Sequence, residues 1–300
     1  TFDLRAFQQL SLPIPQQRWI FIVFFAGFGG TLFGVFRRWL TVAAYGRAVA
    51  VPVLLAAVFL KMGTFGFLRL SLPLLPDAAR AFAPALVALS AIGIVFGAVA
   101  AFAQASWTRV LAHASLSHLC LVMLGAFALT PDGLTGSTVH QINHGLAIAT
   151  LFLIAGLVAG RVQGGALADY GGLLNAMPLA AAVSLVMTLS LMGVPKLNGY
   201  VGMHLIVESI WSVSRVWSVV ATAGMALGSV ALLWLFSRTM LGELRSPAGG
   251  APKDLRLTEA LVFVPLVVLV VWIGLRPAPI LARVETSVAR IVLRVSPQLA

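Results

Sequence analysis

Val49-Ala50-Val51-Pro52-Val53-Leu54-Leu55-Ala56-Ala57-Val58-Phe59-Leu60-Lys61-Met62-Gly63-Thr64-Phe65-Gly66-Phe67-Leu68 is the stretch that decides the fold class. Its only charge is Lys61. As a helix rising ~1.5 Å per residue it spans a hydrocarbon core of ~30 Å. A lysine midway along such a segment costs roughly 2.5 kcal/mol or more unless it is paired or hydrated, so it is a functional candidate by default. The plainer account, an ammonium snorkelling to a nearby interface, stands beside it.

The rest of the chain reads the same way. Hydrophobic residues make up 60% of the 300 positions and charged ones 10%, against about a quarter charged in soluble domains. A soluble domain of this length could not cover so much apolar surface. About eight spans of ~20 residues fit. Backbone groups in lipid must be satisfied internally, and the period-two alternation of a barrel is missing, so the spans are expected as helices. The pattern places them at about 18–36, 48–72, 84–105, 109–129, 136–160, 177–214 with a break, 217–241 and 258–275. Turn chemistry marks the connections Pro73 to Asp77, Thr130-Pro131-Asp132-Gly133, and Arg245 to Lys253.

The segment 177–214 is too long for one straight span, and Gly193-Val194-Pro195-Lys196-Leu197-Asn198-Gly199 interrupts it. Proline removes a backbone donor and clashes with the preceding turn. A discontinuous helix broken near Pro195 exposes backbone groups and half-helix dipoles, which ion pathways use; a simple kink is the alternative. From Pro277 onward the pattern changes. Leu281, Val284, Val288, Ile291 and Val295 form an apolar stripe with Arg283, Arg290 and Arg294 off it, the pattern of an amphipathic helix on a membrane surface or along a partner. The expected organisation is therefore an all-α integral membrane bundle over 1–276 and a surface helix over 277–300. Thr1 opens a segment that reads as the middle of a longer protein.

The formal net charge of +11 does not point to nucleic acid, because most of the basic residues sit singly at span ends and no basic run carries interleaved aromatics. Arg37, Arg38, Arg109, Arg161, Arg238, Arg245, Lys253 and Arg256 fall on one side, and Arg80, Arg215 and Arg276 on the other. The excess marks the first side as cytoplasmic. The single cysteine, Cys120, leaves no disulfide framework and no cysteine metal site.

Two spans carry intramembrane histidines, His118 and His144, and histidine exchanges protons near neutrality. With Lys61 on a third span they read as a proton relay; interhelical hydrogen bonding, worth ~1 kcal/mol, is the bland account. His140 shares a helix face with His144 at i,i+4, as a metal pair would, but no third ligand is near in sequence. His204 and Glu208 repeat that spacing just after the break, as relay members or as a simple pair with each other or with Arg215. Gly27-Phe28-Gly29-Gly30 lies in an apolar span and is read as close helix packing. No nucleophile elbow, phosphate loop, haem or iron–sulfur ligand set, or dinucleotide fingerprint is visible.

Lys61-Met62-Gly63-Thr64-Phe65-Gly66-Phe67-Leu68-Arg69-Leu70-Ser71-Leu72-Pro73 closely resembles the M-type antiporter-like membrane subunit of respiratory complex I, whose mitochondrial counterpart is NADH dehydrogenase subunit four. Ser115-Leu116-Ser117-His118, Gln141-Ile142-Asn143-His144-Gly145-Leu146, Asp169-Tyr170-Gly171-Gly172-Leu173 and Pro195 through Gly202 follow in the family's order. The resemblance covers essentially the whole chain and implies helices seven to fourteen of a fourteen-helix subunit.

It implies a proton half-channel of buried lysines, histidines and glutamates, here Lys61, His118 and His144. It implies no cofactor in this subunit, with NADH, FMN, iron–sulfur clusters and quinone held elsewhere in the complex. The expected partners are other membrane subunits, including neighbouring antiporter-like ones, and lipid, with no nucleic acid; the expected location is the bacterial inner membrane.

Departures from the family pattern are specific. Gly30 stands where the family has a lysine, and Trp39-Leu40-Thr41-Val42-Ala43 lacks its Pro and Asp. Met203 stands at its glutamate, Thr108 at a lysine and His113 at a tyrosine, while Arg109 remains. Lys196, or His204 with Glu208, could substitute. Glu208 lies five residues past Met203, about 7.5 Å along and about 140° around a helix, so direct replacement is geometrically poor. A proton-translocating subunit is thus expected. The alternatives are a non-pumping structural subunit of complex I or of a related membrane hydrogenase or bicarbonate-uptake complex, and a stand-alone cation/proton antiporter.

Overall fold

The computed structural model of the chain describes residues 12–29, 53–245 and 251–295. In chain order its helices are α1 (Ile14–Phe24, prolonged by a π-helical turn over Phe25–Gly29), α2 (Leu55–Leu74), α3 (Pro76–Phe102), α4 (Trp107–Phe127), α5 (Pro131–Val162), α6 (Leu173–Ala176), α7 (Pro178–Leu191), α8 (Asn198–Val213), α9 (Arg215–Met240), α10 (Leu257–Leu275) and α11 (Ala278–Val295). The described residues contain no strand, only an isolated antiparallel bridge between Gly171 and Arg245.

Among the described residues, six helices (α2 to α5, α9 and α10) are long and apolar enough to cross a membrane. The end-to-end pair α7 and α8 adds an interrupted crossing. This is the all-α membrane bundle expected from the composition. The first expected span, 18–36, is described only to Gly29; Gly30, Arg37, Arg38 and Trp39 to Ala43 lie outside the described residues.

α4 is the centre of the bundle. In its apolar window 94% of residues are buried, against 17% for α10 at the periphery. Lipid tails are as apolar as leucine, so helices are held together by close packing and interhelical hydrogen bonds rather than by hydrophobic exclusion. At the α3–α4 seam, a Cβ on Gly97 would meet the Ser117 nitrogen at 2.8 Å and the His113 oxygen at 3.0 Å, so only glycine lets the backbones touch. Ser117 donates to the Ile94 carbonyl across the same seam at 2.9 Å, and Ser137 on α5 donates to the Val122 carbonyl on α4 at 2.7 Å. Phe21, Phe67, Phe82 and Phe127 lock α1 to α4 from one side, with Phe21 stacked on Phe82 at 5.1 Å.

Helix starts differ from the sequence reading in two places. α3 begins at Pro76 instead of 84, so Pro84 lies inside the helix. Pro76 at the first helical position and Asp77 in the first turn are the physical start signal. α5 begins at Pro131 instead of 136. Thr130 caps it by accepting from the Gly133 amide at 3.1 Å, so Thr130-Pro131-Asp132-Gly133 is a helix start as well as a turn.

The interruption falls where expected, between Leu191 and Asn198, with Gly193 at φ 76° and Lys196 at φ 71°. α11 turns the anticipated stripe inward: Val288 and Val295 are buried, Leu281, Val284 and Ile291 are half-buried, Val292 joins the buried face, and Arg283 and Arg290 are exposed. It lies along α5 and the facing ends of α2 and α3, and Arg294 reaches the Pro73 carbonyl at 3.3 Å. Part of the stripe is thus covered by the chain itself.

One end of the bundle is tied by polar clips. Arg161 at the end of α5 donates to the Lys253 carbonyl at 2.7 Å and to both Glu259 oxygens at 2.7 and 2.5 Å. Asp254 accepts from the first free amides of α7, Leu179 and Ala180, at 2.8 and 3.2 Å. These contacts put Arg161, Lys253 and Arg256 at one end, as their grouping by loop charge requires.

Candidate proton-relay site

Three imidazoles meet at the middle of the bundle. α4 contributes His118, and α5 contributes His140 and His144, which share a face at i,i+4. His118 Nδ1 lies 3.1 Å from His140 Nε2. The ring of His118 is 5.4 Å from that of His140 and 5.1 Å from that of His144, and the two α5 rings are 6.2 Å apart. All three residues are buried, His140 completely. Among the described residues, His140 Nδ1 and both ring nitrogens of His144 have no hydrogen-bond partner in the protein. A buried polar atom left that way costs about 1–3 kcal/mol, so its persistence asks for a role.

α2 brings Lys61 to this cluster. Two π-helical turns, Leu55–Phe59 and Phe67–Ser71, flank the α-helical turn that holds it; such bulges recur at functional sites. Lys61 Nζ donates back to the Ala56 carbonyl, the last turn before it. Its stem faces α5 where Gly145 presents no side chain: a Cβ there would sit 3.9 Å from Lys61 Cε. One turn on, Thr64 donates to Gln141 Oε1 at 2.7 Å and fixes α2 against α5.

The interrupted helix is fastened to the same stretch of α5. Asn143 Nδ2 donates to the Asn198 carbonyl at 2.6 Å, and Ser190 Oγ donates to Asn198 Oδ1 at 2.5 Å. A Cβ on Gly202 would fall 2.7 Å from His140 Cβ, so α8 presses its backbone against His140. A cavity of about 10 Å³ beside His118 is lined by Ala114, Ser117, His118, Leu121, Met203, Met225 and Gly228. That is close to the least that admits one water.

The structure therefore brings His118 and His144 together and sets the Lys61 stem against α5 at Gly145, the residue after His144. Lys196 sits in the interruption with its side chain exposed. His204 and Glu208 lie on the outer face of α8, 3.6 Å apart and 55% and 65% exposed, with Tyr200 stacked on His204 at 5.2 Å. Glu208 pairs with His204; Arg215 lies over the Trp211 ring instead, at 5.8 Å. Met203 points inward and is 4% exposed, consistent with the ~100° that separates consecutive helical residues.

His140 is the member that sequence reasoning set aside as half of a metal pair. Among the described residues, no group of three or more His, Cys, Asp or Glu is arranged to hold a metal. A signal for its true neighbour exists in the sequence. α4 and α5 form an antiparallel hairpin, and His118 and His140 lie eleven residues before and eleven after Leu129 in its turn. Equal distance from a tight turn places two residues at one height.

A transmembrane family model described as NADH:quinone oxidoreductase/Mrp antiporter matches residues 3–228. Over 297 residues the chain is 32% identical to NADH-quinone oxidoreductase subunit M of Rickettsia prowazekii, covering 98% of this chain and 60% of that protein. It is 33% identical over 293 residues to NADH-ubiquinone oxidoreductase chain 4 of Arabidopsis thaliana, covering 97% and 59%. A chain of respiratory complex I from Thermus thermophilus with bound NADH superposes with a TM-score of 0.89 at 26% identity, covering 99% of this chain and 63% of that one. The chain thus spans about six-tenths of the length of these curated relatives.

Proposed function

The chain belongs to the NADH:quinone oxidoreductase/Mrp antiporter transmembrane family, and from that premise we propose that it is part of an antiporter-like subunit that moves protons across a membrane in a complex I-type NADH-quinone oxidoreductase. The observation that carries this reading is the cluster of three buried imidazoles beside an interrupted helix, with the Lys61 stem packed where Gly145 follows His144. Lys61 is the central cation, held against the Ala56 carbonyl when protonated. His144 and His118 pass protons from it, with one water in the cavity beside His118 as a link. Lys196 at the interruption and the exposed His204–Glu208 pair are the groups that would hand protons on at the outer face of α8.

This subunit supplies no redox centre in the proposal. NADH, FMN, iron–sulfur clusters and quinone belong to other subunits of the assembly, whose membrane members flank this chain. The bacterial inner membrane is the proposed location, with the Arg161–Lys253–Arg256 end facing the cytoplasm.

The test is Lys61→Ala in the assembled complex. Protons translocated per NADH oxidised are measured in inverted membrane vesicles with a pH-sensitive dye. A strong fall in that ratio is expected. An unchanged ratio overturns the proposal and favours a second reading, a structural subunit that no longer pumps. Met203 supports that second reading, because a thioether lines the cavity beside His118 where a titratable group would extend the path.

A further inference from the structure

We propose that His140 is a relay residue of its own: the His118–His140 hydrogen bond is a two-imidazole wire that carries protons off His118 toward the interruption between α7 and α8. The proposal rests on the proton-translocation reading above and specifies its route.

The bond sets the chemistry. Nδ1 of His118 and Nε2 of His140 are 3.1 Å apart, and a hydrogen bond there requires one N–H and one lone pair. With His118 donating, His140 carries its own proton on Nδ1. A proton arriving at His118 Nε2 forms an N–H bond there. The Nδ1–H bond of His118 then breaks as its proton binds His140 Nε2, and the Nδ1–H bond of His140 breaks as its proton binds a water oxygen, which becomes the next carrier. One proton enters, one leaves, and both rings end neutral with their tautomers exchanged. Each ring is reset by turning out of the contact and exchanging, through water, its Nε2 proton for one on Nδ1, with no net proton gained or lost.

The surroundings select this direction. The cavity beside His118 is lined by Ala114, Ser117, Leu121, Met203, Met225 and Gly228, and apart from His118 itself none of its lining side chains is titratable. His140 is the imidazole within hydrogen-bond distance of His118, and its far nitrogen is buried with no partner among the described residues. His140 abuts the backbone of α8 at Gly202. One turn further along α5, Asn143 begins the polar string through Asn198 to Ser190 that lines the interruption. In the proposal, a water beside His140 Nδ1 carries the released proton on toward this polar string of the broken helix.

His140→Gln keeps a polar side chain of similar reach but cannot take up and release a proton. The experiment compares H140Q, K61A and the native subunit in assembled complex, as protons translocated per NADH oxidised in inverted vesicles. The ratio is counted per NADH, so poor assembly lowers the yield without altering it. H140Q is expected to lose more than half of the ratio. Adding M203E to H140Q places a carboxylate in the cavity wall beside His118, and this second exit is expected to recover a large part of the loss. A native ratio in H140Q, with K61A impaired, overturns the wire and leaves the translocation reading standing. Native ratios in both variants overturn both.

Discussion

Replacing Gly202 by alanine tests the seam on which the site is built. The added Cβ would lie 2.7 Å from His140 Cβ and 2.9 Å from both its Cα and its backbone nitrogen. Carbon atoms pack at about 3.5 Å or more, so the shortfall is about 0.8 Å. Two of the three atoms met are backbone, which cannot rotate aside, so α8 and α5 must separate. Overpacking of this kind costs about 1–3 kcal/mol. Helix propensity runs the other way, by about 1 kcal/mol in favour of alanine.

Gly160 supplies the control: it lies in α5 with nothing within 4 Å of an added Cβ, so G160A carries the propensity gain alone. The difference in unfolding free energy between G160A and G202A, measured by thermal melting of the purified complex, should be about 1–3 kcal/mol. Translocation should follow. If α5 yields by the full shortfall, the 3.1 Å His118–His140 contact opens to about 3.9 Å and the hydrogen bond is lost. Equal melting and equal proton-to-NADH ratios for the two alanine variants would refute this account of the seam.

Glu259→Gln weakens the clip at the end of α5, where Arg161 meets both carboxylate oxygens and is only 17% exposed; a loss of about 1 kcal/mol is expected in thermal melting of the complex, and it should persist in 1 M salt, because partly buried pairs are screened little. Tyr170 donates to the Gly164 carbonyl at 2.9 Å, and burial, helped by the Asp169 charge, pushes its phenol from 10.0 up to about 12. Its folded pKa is the higher one, so its contribution is complete below pH 10 and is lost as pH rises toward 12; stability curves against pH should show that fall in the native chain and lose that component in Tyr170→Phe. Lys196→Gly removes a left-handed non-glycine residue at φ 71° from the interruption and should raise the melting midpoint by the equivalent of up to about 1 kcal/mol; a lower midpoint would show that the lysine side chain holds the break.

The sequence by itself determined what depends on neighbours along the chain. The apolar runs with their single Lys61 fixed a helical membrane protein, Gly193 and Pro195 fixed the interruption, and the stripe from Leu281 to Val295 fixed the face α11 turns inward. Thr130 and Pro76 were read as turn residues although they also start helices, because capping and loop chemistry use the same residue types. Only the tertiary structure decided which polar residues meet. His118 and His140 bond, Met203 faces the cavity, and His204 and Glu208 face outward, although all five lie in apolar helices of similar composition. A helix turns ~100° with each residue, so a one-residue change in how two helices are rotated against each other exchanges inside for outside. That rotation is set by backbone contacts between distant segments, Gly97 against Ser117 and Gly202 against His140, and no local pattern records which glycine will find which partner.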